Sequence, residues 1–299
     1  MHVAITPVES FDGLLDFPFE PRFITINDRE CGPIRMHYVA EGDPGAPVIL
    51  LLHGEPTWSY LYRHMISGLS DRYRVIAPDF IGFGKSDKLT ERGLYTYARH
   101  ISWLREGLDA LKLENITLFC QDWGGLIGLR LVAEQPERFA RVIAANTFLP
   151  TGEHPPSAEF MKWRAFSQTS ENFRISSIIN SGCVQPLTAE VRKAYDAPFP
   201  EENLKAGARM FPMLVPIQAD DPEGLKNRQA WQVLGQWKKP FLTAFSDNDP
   251  ITRGGDRVFQ KLIPGCQGMP HVTVANAGHF LQEDNPMQLV SIIREFMGM

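Results

Sequence analysis

The chain has little that would tie it to a surface, a metal or a nucleic acid. Only four cysteines occur in 299 residues, Cys31, Cys120, Cys183 and Cys266. They are far apart, with neither metal-ligand spacing nor the density of a disulfide framework. There is no long basic run, and the formal net charge is -5, which argues against a nucleic-acid partner. No apolar run is long enough to span a bilayer, so no membrane association is expected. The start of the chain shows no basic stretch followed by an apolar one, as a secretion signal would. A cytoplasmic location is therefore expected. Repeats and low-complexity tracts are also absent. What remains is an ordinary globular composition, 43% hydrophobic and 22% charged, long enough to bury a full core.

The pattern along the chain alternates strand and helix. Arg22 to Ile26 and Ile34 to Ala40 read as two strands joined by the turn-rich Asn27–Pro33, with a mostly period-two alternation in the second. Short apolar strands follow at Val48–Leu52, Arg74–Pro78, Ile116–Phe119 and Arg141–Asn146, separated by helical patterns at Ser59–Leu69 and Tyr97–Leu111. The alternation lapses from Thr147 to about Trp237, where prolines and short helical patterns dominate. It returns with strands at Pro240–Phe245 and His271–Ala275, and with helices at Asp256–Leu262 and Pro286–Met297. The simplest architecture is an α/β fold: a mostly parallel sheet flanked by helices, with a helical insertion after the sixth strand. Residues 1–147 and 238–299 would form the core domain, and residues 148–237 a helical cap.

In open α/β sheets, sites gather beyond the carboxyl ends of the strands. The polar residues just after each strand are His53 and Glu55, Asp79, Asp122, Asn146, Asp247 and Asp249, and His279. Asp122 stands in Gln121-Asp-Trp-Gly-Gly125, between a buried strand and a helix, on the pattern of a nucleophile elbow with aspartate in place of serine. Aspartate in such a place often just caps the following helix. A carboxylate can also be a covalent nucleophile, giving an ester. His279 follows the last strand and comes after both a nucleophile and an acid, the chain order of α/β-hydrolases. In Ser246-Asp-Asn-Asp-Pro250 the preferred acid is Asp249 at the turn tip, with Asp247 bracing the turn. Such an acid accepts a hydrogen bond from the histidine and stabilises its imidazolium. The loop His53-Gly-Glu-Pro56 would provide the backbone N–H of Glu55, paired with that of Trp123, as an oxyanion hole. His53 itself is expected to be structural, and Cys120 a small buried hydrophobe.

Four segments together resemble a haloalkane dehalogenase: His53-Gly-Glu-Pro-Thr-Trp-Ser-Tyr-Leu-Tyr-Arg63, Asp79-Phe-Ile-Gly-Phe-Gly-Lys-Ser-Asp87, Gln121-Asp-Trp-Gly-Gly125 and Gly278-His-Phe-Leu-Gln-Glu-Asp284. The likeness runs from about Arg22 to the C-terminus and is looser in the insertion. It implies an α/β-hydrolase fold and no metal or organic cofactor. It implies that Asp122 attacks the halogen-bearing carbon, and that His279, oriented by Asp249, activates water against the resulting alkyl–aspartate ester. The partners implied are a small hydrophobic halogenated substrate, water and the halide product. The departing halide needs donors in a dry pocket, and an indole N–H is a donor on an apolar ring. Trp123 is one candidate. Part of the family takes its second donor from an asparagine of the oxyanion loop, where this chain has Glu55. The other part uses a tryptophan of the cap, and Trp163 in Phe160-Met-Lys-Trp163 stands where that subgroup requires. Trp231 and Trp237 are expected to pack the cap against the core.

Phe148, Phe160, Phe166, Phe211, Pro212, Leu214 and Val215 are candidates either for an apolar pocket or for the core of the insertion. An epoxide hydrolase resembles this family in fold and uses the same triad, but it differs in needing donors that activate the epoxide oxygen, usually two tyrosines of the insertion, and Tyr195 is the sole tyrosine between Thr147 and Trp237. A fluoroacetate dehalogenase would want an arginine after the nucleophile, where Trp123 stands. A catalytically silent relative that binds a hydrophobic ligand is the alternative from another class. The oligomeric state is left open by the sequence.

Overall fold

Eight strands form one sheet at the centre of the computed structural model, which describes residues 3–299. In chain order they are β1 (Arg22–Asp28), β2 (Gly32–Glu41), β3 (Val48–Leu52), β4 (Arg74–Pro78), β5 (Ile116–Gln121), β6 (Phe139–Ala145), β7 (Phe241–Ser246) and β8 (Val272–Val274). Across the sheet the order is β8-β7-β6-β5-β3-β4-β2-β1. β2 runs antiparallel to both β1 and β4, and every other neighbour pair is parallel. All six residues of β5 are buried, as suits a strand covered by helices on both faces.

The swap of β3 and β4 in the strand order has the main functional consequence. It makes β3 a neighbour of β5, with Leu52 in register with Cys120. The loops beyond these two strands therefore emerge side by side. On the other flank Gln121 pairs with Ala145, and further out Val274 pairs with Ser246. Five loops far apart in sequence thus leave the same edge of the sheet.

Helices α1 (Arg63–Leu69), α2 (Tyr97–Ala110) and α3 (Trp123–Glu134) connect the central strands. The Thr96 hydroxyl accepts the Arg99 N–H to cap α2. Between β6 and β7 there is no strand among the described residues. That stretch holds α4 (Ala158–Thr169), α5 (Ile175–Ser181), α6 (Ala189–Asp196), α7 (Ala206–Leu214) and α8 (Pro222–Leu234), a helical cap region. Helices α9 (Gly255–Leu262), α10 (Leu281–Asp284) and α11 (Pro286–Met297) complete the chain. An aromatic seam joins cap to core: Phe211 of α7 stacks on Trp123 with ring centroids 4.5 Å apart and on Phe83 at 4.7 Å.

Three local features differ from the sequence expectation. The hairpin loop is shorter than Asn27–Pro33, because Asn27 pairs with Pro33 and Asp28 with Gly32. The Asp28 carboxylate closes the turn by accepting the N–H groups of Glu30 and Cys31. The helix expected from Ser59 begins as a 3-10 turn over Ser59–Tyr62 before α1. The N-terminal stretch adds a two-residue strand, Val3–Ala4, antiparallel to Lys88–Leu89.

Candidate active site

Asp122 occupies the turn between β5 and α3 with φ 50° and ψ -126°. That left-handed backbone is costly for a residue with a side chain, on the order of 1–3 kcal/mol, and persists only where the surroundings enforce it. Here they do. The Asp122 N–H donates to the Asn146 carbonyl at 3.0 Å. The Thr147 hydroxyl donates to the Asp122 carbonyl at 2.7 Å. Close approach explains both glycines of the pair: a Cβ on Gly124 would lie 2.0 Å from the Leu52 carbonyl oxygen, and one on Gly125 would lie 1.9 Å from the Thr147 hydroxyl.

The Asp122 carboxylate stands at the helix-cap position yet makes no cap hydrogen bond. Its Oδ1 instead accepts the backbone N–H of Glu55 at 2.7 Å. Gly54 leaves the room for this, because a Cβ there would come within 2.3 Å of the same oxygen. Trp123 opens α3, so its N–H belongs to the first helical turn, whose N–H groups find no acceptor within the helix. The other carboxylate oxygen, Oδ2, lies 3.5 Å from His279 Nε2.

His279 Nδ1 is 3.0 Å from Asp249 Oδ2. Asp249 is buried and also accepts the Ile251 N–H at 2.8 Å and the Thr252 hydroxyl. Burial opposes its charge, but His279 and these donors outweigh it and hold the carboxyl down at about 2. Asp247 instead accepts the N–H groups of Asn276 and Ala277 at 3.0 and 3.2 Å, bracing the β7 and β8 loops together. Burial likewise disfavours a charged imidazole at His279, yet the charges of Asp249 and Asp122 raise it to about 10.

Two neighbours compete for His279 Nε2. Asp122 Oδ2 suits a protonated ring, whereas the Gln121 amide NH2, 3.1 Å away, suits a free lone pair. The charge on Asp122 therefore adds to that of Asp249 in favouring a protonated His279. Gln121 and Asn146 also donate to the His279 carbonyl, at 3.2 and 3.1 Å, and Asn146 bonds the Gly278 carbonyl and Ser246 as well. The bracing by Gln121, Asn146 and Thr147 is absent from the sequence reading. Its signal was position alone: each lies within two residues of the end of β5 or β6.

These groups open onto a cavity of about 650 Å³ between cap and core. Asp122, Trp123, His279, Glu55 and Trp163 all line it. Of the expected apolar residues, Phe148, Phe160, Pro212 and Val215 line it too. Phe211 instead backs Trp123, and the exposed Phe166 and Trp163 border a second, outer cavity of about 370 Å³. Trp163 is partly buried on α4, with its ring 5.8 Å from that of Phe173. Trp231 spends its indole N–H on the Leu149 carbonyl at 2.8 Å, and Trp237 is buried in the core, so neither lines the cavity.

The side chain of Glu55 is buried on the cavity wall, and its Oε1 has no hydrogen-bond partner. Burial and the nearby Asp122 charge push its carboxyl well above the usual range, with His279 opposing. That favours a neutral acid. His53 is structural: its Nε2 accepts the Phe80 N–H at 3.0 Å, which leaves Nδ1–H to donate to the Gly54 carbonyl at 2.9 Å. Asp79 is fully buried away from the cavity, holding His37, Ser59 and Lys85. No group of three or more His, Cys, Asp or Glu among the described residues could hold a metal ion. No helix among them is long and apolar enough to cross a membrane.

Comparison with known proteins agrees with this architecture. A family profile described as the alpha/beta hydrolase fold matches residues 47–286. A haloalkane dehalogenase of Psychrobacter cryohalolentis is 53% identical over 99% of this chain and 98% of its own length. One of Mycolicibacterium paratuberculosis is 48% identical over 98% and 97%. The solved structure of the haloalkane dehalogenase DpaA from Paraglaciecola agarilytica NO2, described as tetrameric, superposes with a TM-score of 0.90. It is 33% identical and covers 99% of this chain and 97% of its own.

Proposed function

The chain belongs to the haloalkane dehalogenases of the alpha/beta hydrolase fold, and on that premise we propose how Asp122, His279 and Asp249 carry out hydrolytic dehalogenation. One observation carries the reading: a carboxylate on a strained elbow, held by the Glu55 N–H at 2.7 Å, lies 3.5 Å from a paired histidine on the wall of a largely apolar cavity.

With Oδ1 held, Oδ2 of Asp122 is the nucleophile. It bonds to the halogen-bearing carbon as the carbon–halogen bond breaks, and halide leaves with the bonding pair. An alkyl–aspartate ester remains. The charge of Asp122 is then gone, and with it one of the two charges that favour a proton on His279. The neutral imidazole takes a proton from water as the oxygen attacks the ester carbon. The oxyanion forms on Asp122 and is stabilised by the backbone N–H groups of Glu55 and Trp123. Collapse releases the alcohol, and the proton leaves from His279. Asp249 holds the imidazolium through Nδ1.

The indole N–H groups of Trp123 and Trp163 hold the departing halide, a reading supported by their shared place on the cavity wall. Residues 148–237 act as the cap over a core of 1–147 and 238–299. The substrate is a small haloalkane, a reading that the largely apolar wall of the cavity supports. A cytoplasmic location accords with four free cysteines.

Epoxide opening is disfavoured by Tyr195. It is fully buried and donates its hydroxyl to Glu283, so it does not line the cavity. The test is halide release over chloro-, bromo- and iodoalkanes of graded length, with styrene oxide as the competing substrate. Bromoalkane turnover without epoxide hydrolysis is expected. A folded protein that releases no halide from any bromoalkane overturns the reading.

A further inference from the structure

The segment after His279 ends in two adjacent carboxylates, Glu283 and Asp284, that the reaction does not use. Both reach out of the core into the cap. Glu283 accepts a hydrogen bond from Tyr195 of α6 and is gripped by Arg63 of α1 through two bonds of 2.5 and 2.8 Å. Asp284 accepts the N–H groups of Val184 and Gln185, in the turn between α5 and α6, at 3.0 and 3.1 Å. Its Oδ2 also accepts the N–H of Gly278 at 2.8 Å. Gly278 immediately precedes His279. On the other side of the histidine, the Phe280 N–H donates to the Gly182 carbonyl at 3.3 Å. The two segments lie so close that a Cβ on Gly278 would sit 2.3 Å from that same carbonyl oxygen.

Both neighbours of His279 are therefore tied to one cap turn, residues 182–185, and one carboxylate makes the tie on the Gly278 side. We propose that Asp284 is a positioning residue for ester hydrolysis, clamping the His279 loop to the cap so that the base meets water only when the cap is seated. The core side of the loop is held separately, through carbonyls that Asn146 and Gln121 bond. Asp284 thus acts on the N–H side of Gly278, opposite the carbonyl that Asn146 and Ser246 bond. The inference rests on His279 as the base of the second step. It has a directional consequence, because carbon–halogen cleavage by Asp122 needs no base. Loosening Asp284 slows one half-reaction and spares the other.

The experiment is rapid mixing of the full-length protein with excess 1,2-dibromoethane, following bromide release and the alkylated protein by mass spectrometry. In Asp284→Ala, ester hydrolysis is expected to fall by roughly tenfold or more, as a displaced base does. Alkylation should stay within about twofold of wild type, since it lacks the lost interaction. Bromide then appears as a burst and the ester accumulates in the steady state. Asp284→Asn keeps one acceptor oxygen, should hydrolyse at an intermediate rate, and carries the same comparison if the alanine variant does not fold. A merely structural role would slow both steps together, and that result overturns the proposal, as does an unchanged hydrolysis rate. His279→Ala is the control: ester that forms and is never hydrolysed upholds the base assignment independently. Full turnover in that variant overturns the base assignment and the proposal with it.

Discussion

The Glu55 N–H and the Asp122 carboxylate meet at 2.7 Å, although 67 positions separate them in the chain. This single bond turns a side chain at a helix-cap position away from its own helix and toward the cavity. It exists because β3 lies next to β5, so that the loop after one strand caps the turn after the other.

Removing the nucleophile should abolish the reaction at its first step. Asp122→Ala is expected to lower halide release by about a thousandfold or more while the protein stays folded. His279→Ala should instead release one halide per protein and stop, with a mass gain equal to the alkyl group. Halide titration and intact-mass measurement separate the two outcomes. Full activity in Asp122→Ala would sink the nucleophile assignment.

The state of His279 should follow the charge on Asp122. In the free protein, Asp249 and Asp122 hold the imidazole up at about 10. Once the ester forms, the Asp122 charge is lost and the value drops. The rate of ester hydrolysis in single turnovers should therefore rise with pH through a midpoint below 10, while alkylation shows no such rise. A hydrolysis midpoint at or above 10 would contradict the coupling.

The same ring contributes to stability with a definite sign. Its folded value lies above the ordinary histidine value of 6.5, so its contribution is complete below about pH 6.5 and is lost as pH rises through about 10. Asp249→Asn removes the main partner. The stability gap between wild type and Asp249→Asn, from urea unfolding, should be largest near pH 6 and shrink toward pH 10. A gap that widens with pH would refute the ion pair.

Three tryptophans should separate by function. Trp163→Phe keeps the packing on Phe173 but loses the indole N–H. It should weaken bromide binding by about tenfold or more, given the strength of hydrogen bonds to charged groups. Trp231→Phe loses its bond to the Leu149 carbonyl and should cost about 1 kcal/mol of stability with bromide affinity unchanged. Halide titrations of each variant, alongside Trp123→Phe, decide this. Equal affinities in wild type and Trp163→Phe would exclude Trp163 as a donor.

The elbow should tolerate no side chain at Gly124, the first glycine of its pair. Gly124→Ala would force a Cβ against the Leu52 carbonyl oxygen at 2.0 Å. A loss of about 1–3 kcal/mol is expected from overpacking against backbone, together with loss of activity as Asp122 shifts. Thermal unfolding and halide release measure both. A variant of unchanged stability and activity would show that the elbow has slack.

Strand and helix periodicity, the turn after β5 and the order of Asp122, Asp249 and His279 were all determined by the sequence alone. These are local properties: buried strands read as continuous apolar runs, and glycines mark where backbones come close. Tertiary structure decided everything that depends on which strands are neighbours. It separated Asp249, which faces His279, from Asp247, which braces a loop two residues away. It sent Trp163 to the cavity and Trp231 to a buried carbonyl, and it hid Tyr195 against Glu283. It also recruited Gln121, Asn146 and Thr147, whose hydrogen bonds cross up to 158 positions of sequence. No local pattern encodes such partners, because the strand order that brings their loops to one edge is a property of the whole sheet.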